Sequence, residues 1–341
     1  MATALAISML TPSSSQRDAT HCSIYAVAVP EQNSMPGATH SVAILGGTGL
    51  VGKQISLVFL TEFKSIFPTV RILTRDPASA SAQELAGKGA SLVKWDGSNL
   101  PNVLDEVLKG VDTVVNALSV NISAEAKQAV LEAVARNPVK VYFLDEFGFD
   151  HGVDGFPGSD HPEWINKRRI AADTRRMLQG KKVIALYCGV LFDYAITPLL
   201  GVDIEKNVYS AYGLPSQKFS IASRTDVART VARLAALALD PTTAAKVPDE
   251  VRIAAATVSH EDIRDIVARV KGVPKGEVKG DDLQQHKENL RQHPGENFID
   301  YLRVIMGDGK ADYSSNNANE LVNPDQAFWK WETVGDYVRK L

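Results

Sequence analysis

Residues 41–52 read SVAILGGTGLVG: a serine and four apolar positions, then four glycines within seven residues, among them the opening of an amphipathic stretch that runs on to Phe63. Few chemistries put that much glycine between a strand and a helix. Glycine permits a turn too tight for a side chain, lets a ligand approach the backbone, and lets the helix pack close to its strand. A helix beginning there aims unpaired N–H groups and the positive end of its dipole into the turn. Both G-x-x-G-x-x-G (Gly46, Gly49, Gly52) and G-x-G-x-x-G (Gly47, Gly49, Gly52) are satisfied. The spacing therefore predicts that Gly46, Gly47, Thr48, Gly49, Leu50, Val51 and Gly52 cradle the pyrophosphate of a dinucleotide. A nucleoside-triphosphate loop is the first competitor, since Gly47, Gly52 and Lys53 fit most of it. Gln54 stands where that loop needs a Ser or Thr hydroxyl for Mg²⁺. A turn that binds nothing is the second, and the strand–turn–helix setting argues against it.

The rest of the chain agrees with an α/β fold. Apolar strands SVAIL, VRILT, SLVKW, DTVVNAL, VKVYFL and KVIALYC alternate with helical stretches as far as Cys188. Six such strands predict a doubly wound parallel sheet with helices on both faces. Beyond Gly189 the rhythm loosens, with a strong helix over 225–239, a strand VRIAAATVS and a helix ended by Gly272. We expect a loosely ordered leader over residues 1–40 and a dinucleotide-binding domain over 41–190. Residues 191–341 then form a smaller mixed lobe, some of whose elements complete the sheet.

Composition excludes several classes. Lys plus Arg number 37 against 40 Asp plus Glu, a net charge of −3. That leaves no global basic field for nucleic acid, and the expected partner is a small molecule. The run Val183 to Phe192 suits a buried strand and falls well short of the ~18 residues a membrane-spanning helix needs. Cys22 and Cys188 are two isolated cysteines, with neither a disulfide framework nor a zinc spacing, so a reducing, cytoplasmic setting is expected. Cys188 sits in an apolar strand and reads as a buried thiol.

The tip of the second strand selects the cofactor. It ends Thr74-Arg75-Asp76. An NAD site wants a carboxylate there for the ribose 2′-hydroxyl, whereas an arginine accommodates a 2′-phosphate. Arg75 thus predicts NADPH (NADP); the competing reading is a solvated arginine paired with Asp76.

Three segments carry a family resemblance. GGTGLVG, FLDEFGFD (Phe143 to Asp150) and SRTDVART (Ser223 to Thr230) resemble the NmrA-like and isoflavone-reductase-like branch of the atypical short-chain dehydrogenases, with the look of fungal secondary-metabolism oxidoreductases. Asp145 stands where a serine is common in that branch. The resemblance implies a reductase whose lysine, here Lys167, bonds the nicotinamide ribose and assists protonation of the reduced substrate. The short-chain dehydrogenase tyrosine is replaced by Trp164, so reduction of a conjugated alkene, imine or quinone-like group is expected ahead of simple carbonyl reduction. A solvated Lys167-Arg168-Arg169 face is the bland alternative.

Phe147, Phe149, Trp164, Phe192 and Tyr194 follow the carboxyl ends of strands and are candidates for an aromatic substrate pocket, although isolated aromatics are as often core. His151, Asp154, Asp160 and His161 match no metal-site spacing, and no metal is expected. No nucleophile elbow appears. The function expected is NADPH-dependent hydride transfer to a small aromatic or heterocyclic metabolite. The alternative, from another class, is a non-catalytic NAD(P)-binding sensor that regulates a partner.

Overall fold

A computed structural model describes residues 39–95, 100–119, 122–153 and 160–341. The leader expected over residues 1–40 lies, but for its last two positions, outside the described residues, as does Asp154.

In chain order the first half runs β1 (Ser41–Leu45), α1 (Leu50–Thr61), β2 (Thr69–Thr74), α2 (Ala80–Gly87), β3 (Ser91–Lys94), α3 (Leu100–Leu108), β4 (Thr113–Asn116), α4 (Ala124–Arg136), β5 (Val141–Phe143), α5 (Pro162–Met177) and β6 (Lys182–Tyr187). There follow β7 (Val190–Leu191), α6 (Phe192–Ala195), β8 (Val202–Asp203), β9 (Val208–Tyr212), β10 (Phe219–Ala222), α7 (Arg224–Leu239), β11 (Glu250–Arg252), β12 (Ala256–Val258) and α8 (His260–Lys271). The chain closes with β13 (Glu277–Asp281), α9 (Leu283–Gln292), α10 (Phe298–Gly307), α11 (Asn319–Val322) and α12 (Val334–Lys340).

Seven strands form the main sheet in the order β11-β6-β5-β4-β1-β2-β3, and every pairing in it is parallel. Two three-stranded sheets, β12-β10-β7 and β13-β9-β8, belong to the second half. The strands of the main sheet are apolar at successive positions because both faces are covered. Val42 and Ile44 join Ile55 and Phe59 of α1 and Val227 and Val231 of α7 on one face. Ala43 and Leu45 join Leu104 of α3 and Val130 of α4 on the other. That alternation is the two-residue period of a strand.

The second half contributes to the main sheet as well as to its own lobe. The run VRIAAATVS, expected as one strand, is two: β11 pairs with β6, and β12 turns away to pair antiparallel with β10. Helix α7 lies in the layer with α1, joined to it by a two-pronged pair between Arg229 and Glu62 at 2.8 and 3.0 Å. A third cluster, with Trp164, Phe192, Tyr209, Phe219 and Tyr301, forms the lobe's core. Helix starts are set by their caps: Ser79, Ser123, Ser223 and Ser259 each accept a backbone N–H from the first turn. Gly272 ends α8 at φ 66°, as its position in the sequence suggests. No helix of the described residues is long and apolar enough to cross a membrane.

Candidate active site

The order of the main sheet reverses direction between β1 and β4, and open α/β sheets bind ligands at the carboxyl ends of the strands flanking such a point. The glycine turn comes directly after β1 there, and the loop after β4 meets it. A Cβ on Gly46 (φ +75°) would stand 2.4 Å from the Ala117 carbonyl oxygen.

Packing assigns the glycines separate duties. Only Gly46 has the left-handed conformation that favours glycine, and its carbonyl accepts the Gly49 N–H at 2.9 Å. At Gly47 the restriction is space, since a Cβ would come within 2.8 Å of Ile72 Cγ2 and Ser56 Oγ. A Cβ on Gly52 would come within 2.2 Å of the Gly46 carbonyl oxygen, so this glycine brings helix and turn together. Gly49 differs: it is exposed, lies at φ −76°, and its Cβ would meet only that oxygen at 3.2 Å. Among the described residues nothing else forbids a side chain there, and the position is exposed. As N-cap of α1, Gly49 offers no side-chain cap, and the first turn holds no acidic residue. The opening amides of Leu50, Val51 and Gly52 are therefore free to meet an anion. Ser56 Oγ braces the turn, bonding the carbonyls of Gly47 and Gly52 at 2.9 and 2.8 Å.

Thr48 Oγ1 lies 3.1 Å from Thr74 Oγ1, tying the turn to the tip of β2. The next residue, Arg75, is exposed and makes no hydrogen bond or ion pair with another described residue. Asp76 does not neutralise it; Asp76 Oδ1 instead accepts the Ala78 N–H at 2.9 Å. Lys53 is ion-paired with Glu84 of α2 at 2.7 Å. A bare glycine cradle, an uncapped helix and a free cation at the neighbouring strand tip fit a phosphorylated dinucleotide.

Strand β5 lies beside β4, two strand spacings or about 10 Å from β1. The loop beyond its carboxyl end carries Asp145, Glu146, Phe147, Phe149, Asp150 and His151. Lys167 reaches this loop from α5, which starts with His161 as N-cap and Pro162 in its first turn. Trp164, Ala171 and Thr174 turn the buried side of α5 inward. Lys167, one turn after Trp164, donates to the Asp145 carbonyl at 2.5 Å. Its Nζ also stands 3.7 Å from Asp145 Oδ2 and 3.6 Å from Glu146 Oε2. Lys167 is thus fixed against the loop and only 20% exposed, unlike a solvated face. Burial raises the Asp145 carboxyl above the usual carboxylate range, with the Lys167 charge working against it. Arg169, by contrast, points to Asn166 and Asp173 on an exposed face.

Sequence reasoning overlooked the anchors of this loop. Glu146, 4% exposed, faces His151 Nδ1 at 2.8 Å. Buried Asp150 pairs with Arg252 of β11 and takes the Gly152 N–H at 2.6 Å. The Asp150 N–H donates to Tyr313 Oη at 2.9 Å. Arg168 pairs with Asp160 and donates to the His151 carbonyl at 3.3 Å. The Glu-Phe-Gly segment was the available signal for Glu146; nothing local announces Arg252, 102 residues from Asp150.

Of the five aromatic candidates, Phe149, Trp164 and Phe192 share the lobe's core, while Phe147 packs on a different cluster and Tyr194 stands exposed. Trp164 is 1% and Phe192 0% exposed; both belong to the lobe's core, where Phe192 packs on Tyr337 with ring centroids 5.2 Å apart. Phe149 lies 6.2 Å from Trp164 and is nearly buried. Phe147 is half-buried against the sheet's core, and Tyr194 is 40% exposed. His151 and Tyr301 rings crowd Trp164, at 4.5 and 5.2 Å. Cys188 is fully buried, its thiol pushed up to about 12 by burial. His161 is occupied as the cap of α5, Nδ1 accepting the Glu163 N–H at 3.2 Å. Among the described residues no three His, Cys, Asp or Glu side chains are placed to hold a metal ion.

Comparison with known proteins gives a consistent result. A family model described as the NmrA-like family matches residues 38–338. The NmrA-like family domain-containing oxidoreductase malD of Malbranchea aurantiaca is 37% identical over 78 residues, which span 23% of this chain and 23% of malD. The crystal structure of isoflavone reductase superposes with a TM-score of 0.71 at 20% identity, covering 89% of this chain and 99% of that one. The binary complex of leucoanthocyanidin reductase and NADPH from Vitis vinifera gives a TM-score of 0.68 at 17% identity, covering 88% and 98%. At such identities the likeness is one of fold.

Proposed function

The chain belongs to the NmrA-like family, and from that premise we propose that it is an NADPH-dependent oxidoreductase acting on a small aromatic or heterocyclic metabolite in secondary-metabolite biosynthesis. Gly46 to Gly52 hold the pyrophosphate, Arg75 takes the 2′-phosphate, and Lys167 serves the reacting end. When bound, the cofactor supplies a hydride; the chain's own work is to orient it and to manage the accompanying proton. The observation that carries this reading is Lys167, held at the Asp145 carbonyl beside the buried carboxylate of Glu146 at the strand ends adjoining the glycine turn.

Relatives lend support. Malbranchea malD is named as an oxidoreductase, and the structural neighbours are named for the reduction of isoflavone and leucoanthocyanidin. Glu163, not Trp164, stands four residues before Lys167 in the place of the tyrosine, and the absence of a phenol there supports an acceptor other than a simple carbonyl. The buried free thiol of Cys188 suits a reducing cytoplasm. Loss of NADPH absorbance with a panel of enones, imines and quinones tests the proposal. Tight NADPH binding with no turnover of any of them would contradict it.

A further inference from the structure

Counted four residues back from Lys167, the place of the short-chain dehydrogenase tyrosine is Glu163, and neither it nor the adjacent Trp164 supplies a phenol as proton donor. The indole Nε1–H of Trp164 is buried without a hydrogen-bond partner and is not acidic enough for that role. We propose that His151 is the proton donor of this site and that Glu146 sets it for the task. This inference rests on the reductase reading above.

The geometry is that of a buried carboxylate holding an imidazole. Glu146 Oε2 lies 2.8 Å from His151 Nδ1 as an ion-pair contact, and neither atom makes a hydrogen bond among the described residues. That same oxygen is 3.6 Å from Lys167 Nζ, so one carboxylate oxygen serves both the lysine and the imidazole. The ring is fixed edge-on between Trp164, at 4.5 Å, and Tyr187, at 6.1 Å. The backbone on either side of it is pinned. Asp150 is held by Arg252 and Tyr313, and the His151 carbonyl by Arg168. His151 remains 13% exposed, and its Nε2 has no partner among the described residues.

A carboxylate facing Nδ1 keeps a proton on that nitrogen, so Nε2 is the one that gives up and regains the mobile proton. Hydride addition to a polarised double bond brings two electrons and leaves an electron pair on the acceptor atom of the substrate. That atom forms a bond to the Nε2 proton of the imidazolium, and the N–H bond breaks. His151 is left neutral, keeping its Nδ1 proton beside the Glu146 carboxylate, and water returns the lost proton to Nε2. The substrate is reduced by two electrons and the nicotinamide oxidised by two. Glu146 is a positioning residue, and His151 the acid.

Two measurements test this. In the cofactor-free protein, ¹⁵N-resolved NMR of neutral His151 should show the Nδ1–H tautomer, relaxing toward Nε2–H in Glu146→Gln, whose amide can donate as well as accept. Turnover of menadione and 2-cyclohexenone with NADPH should fall about 100-fold in His151→Ala, the usual share of a positioned acid. NADPH affinity should hold, and added imidazole should recover part of the rate. His151→Asn can still donate to Glu146 and would restore a loop anchor, but it cannot act as an acid, so it should stay as slow as the alanine variant. Wild-type turnover in His151→Asn, or an Nε2–H tautomer in the wild type, would overturn the proposal alone. Absence of turnover by the wild type with either probe would overturn the reductase reading beneath it.

Discussion

The backbone of Gly52 passes so close to the carbonyl oxygen of Gly46 that a Cβ there would stand 2.2 Å from it. A Cβ on Gly49, between them in the chain, would clear the same oxygen by 3.2 Å. The turn thus separates a glycine that packing requires from one that packing leaves open.

That separation gives the first prediction. Gly49→Val should fold with near-normal stability and lose dinucleotide binding, because its side chain enters the space left for the pyrophosphate. Gly52→Ala should lose stability by about 1–3 kcal/mol or more, as overpacked sites do. Urea unfolding and NADPH fluorescence titration of both variants check this. Unchanged NADPH affinity in Gly49→Val would reduce the turn to a structural element.

Cofactor choice is assigned to Arg75, exposed at the tip of β2 and not neutralised by Asp76. Wild-type protein should bind NADPH more tightly than NADH, and Arg75→Ala should narrow the gap mainly by weakening NADPH. Equal affinities of the wild type for the two cofactors would remove the assignment.

Lys167→Ala should lower turnover about 100-fold while NADPH affinity changes only slightly, since the phosphate contacts lie elsewhere. Lys167→Arg should not restore the rate, because a guanidinium stays protonated and presents its donors differently. Arg169→Ala is the control for loss of a nearby charge, being exposed and bound only to Asn166 and Asp173. Arg168 would be a poor control, because it holds the His151 carbonyl. Wild-type turnover in Lys167→Ala would refute the role given to the lysine.

Asp226, in the first turn of α7, makes stability depend on pH. It is 1% exposed, accepts from Ser223 Oγ at 2.8 Å and from the Glu332 N–H at 3.0 Å, and leaves Oδ1 buried without a partner. Burial raises its carboxyl from the ordinary aspartate range to about 6. Below the unfolded value both states are protonated. Between the two values the folded state holds the extra proton, so this contribution to stability falls as pH rises from about 4 to about 6. The loss is on the order of 3 kcal/mol. Asp226→Asn should escape it, gaining on the wild type across that window and holding the gain above it. Urea unfolding of both proteins over this range decides; parallel stability curves would count against a raised carboxyl.

The fold was legible because periodicity is local. Val42 and Ile44 against Ala43 and Leu45 announce a strand covered on both faces, and the Gly46 to Gly52 spacing announces a tight turn into a helix. Lys167 was singled out through a family resemblance alone, and the structure adds the Asp145 carbonyl that it bonds. What stayed hidden depends on contacts between distant segments. VRIAAATVS looks continuous, yet Val251 pairs with Leu186 and Thr257 with Ser220, in different sheets. Phe192 and Trp164 are aromatic residues after strand ends, and only packing shows that they fill the lobe's core. His151 is a stray polar residue in the sequence, and only the fold places Glu146 opposite it.

The central claim is that this site transfers a hydride, and isotope transfer tests it most directly. With NADPH deuterated at the transferable position, the protein should place one deuterium on carbon in a reduced enone, imine or quinone-type product, detected by mass spectrometry. Lys167→Ala should slow that transfer without abolishing cofactor binding. Protein that binds the labelled NADPH tightly and transfers no deuterium to any acceptor would contradict the account and leave a dinucleotide-binding protein without redox chemistry.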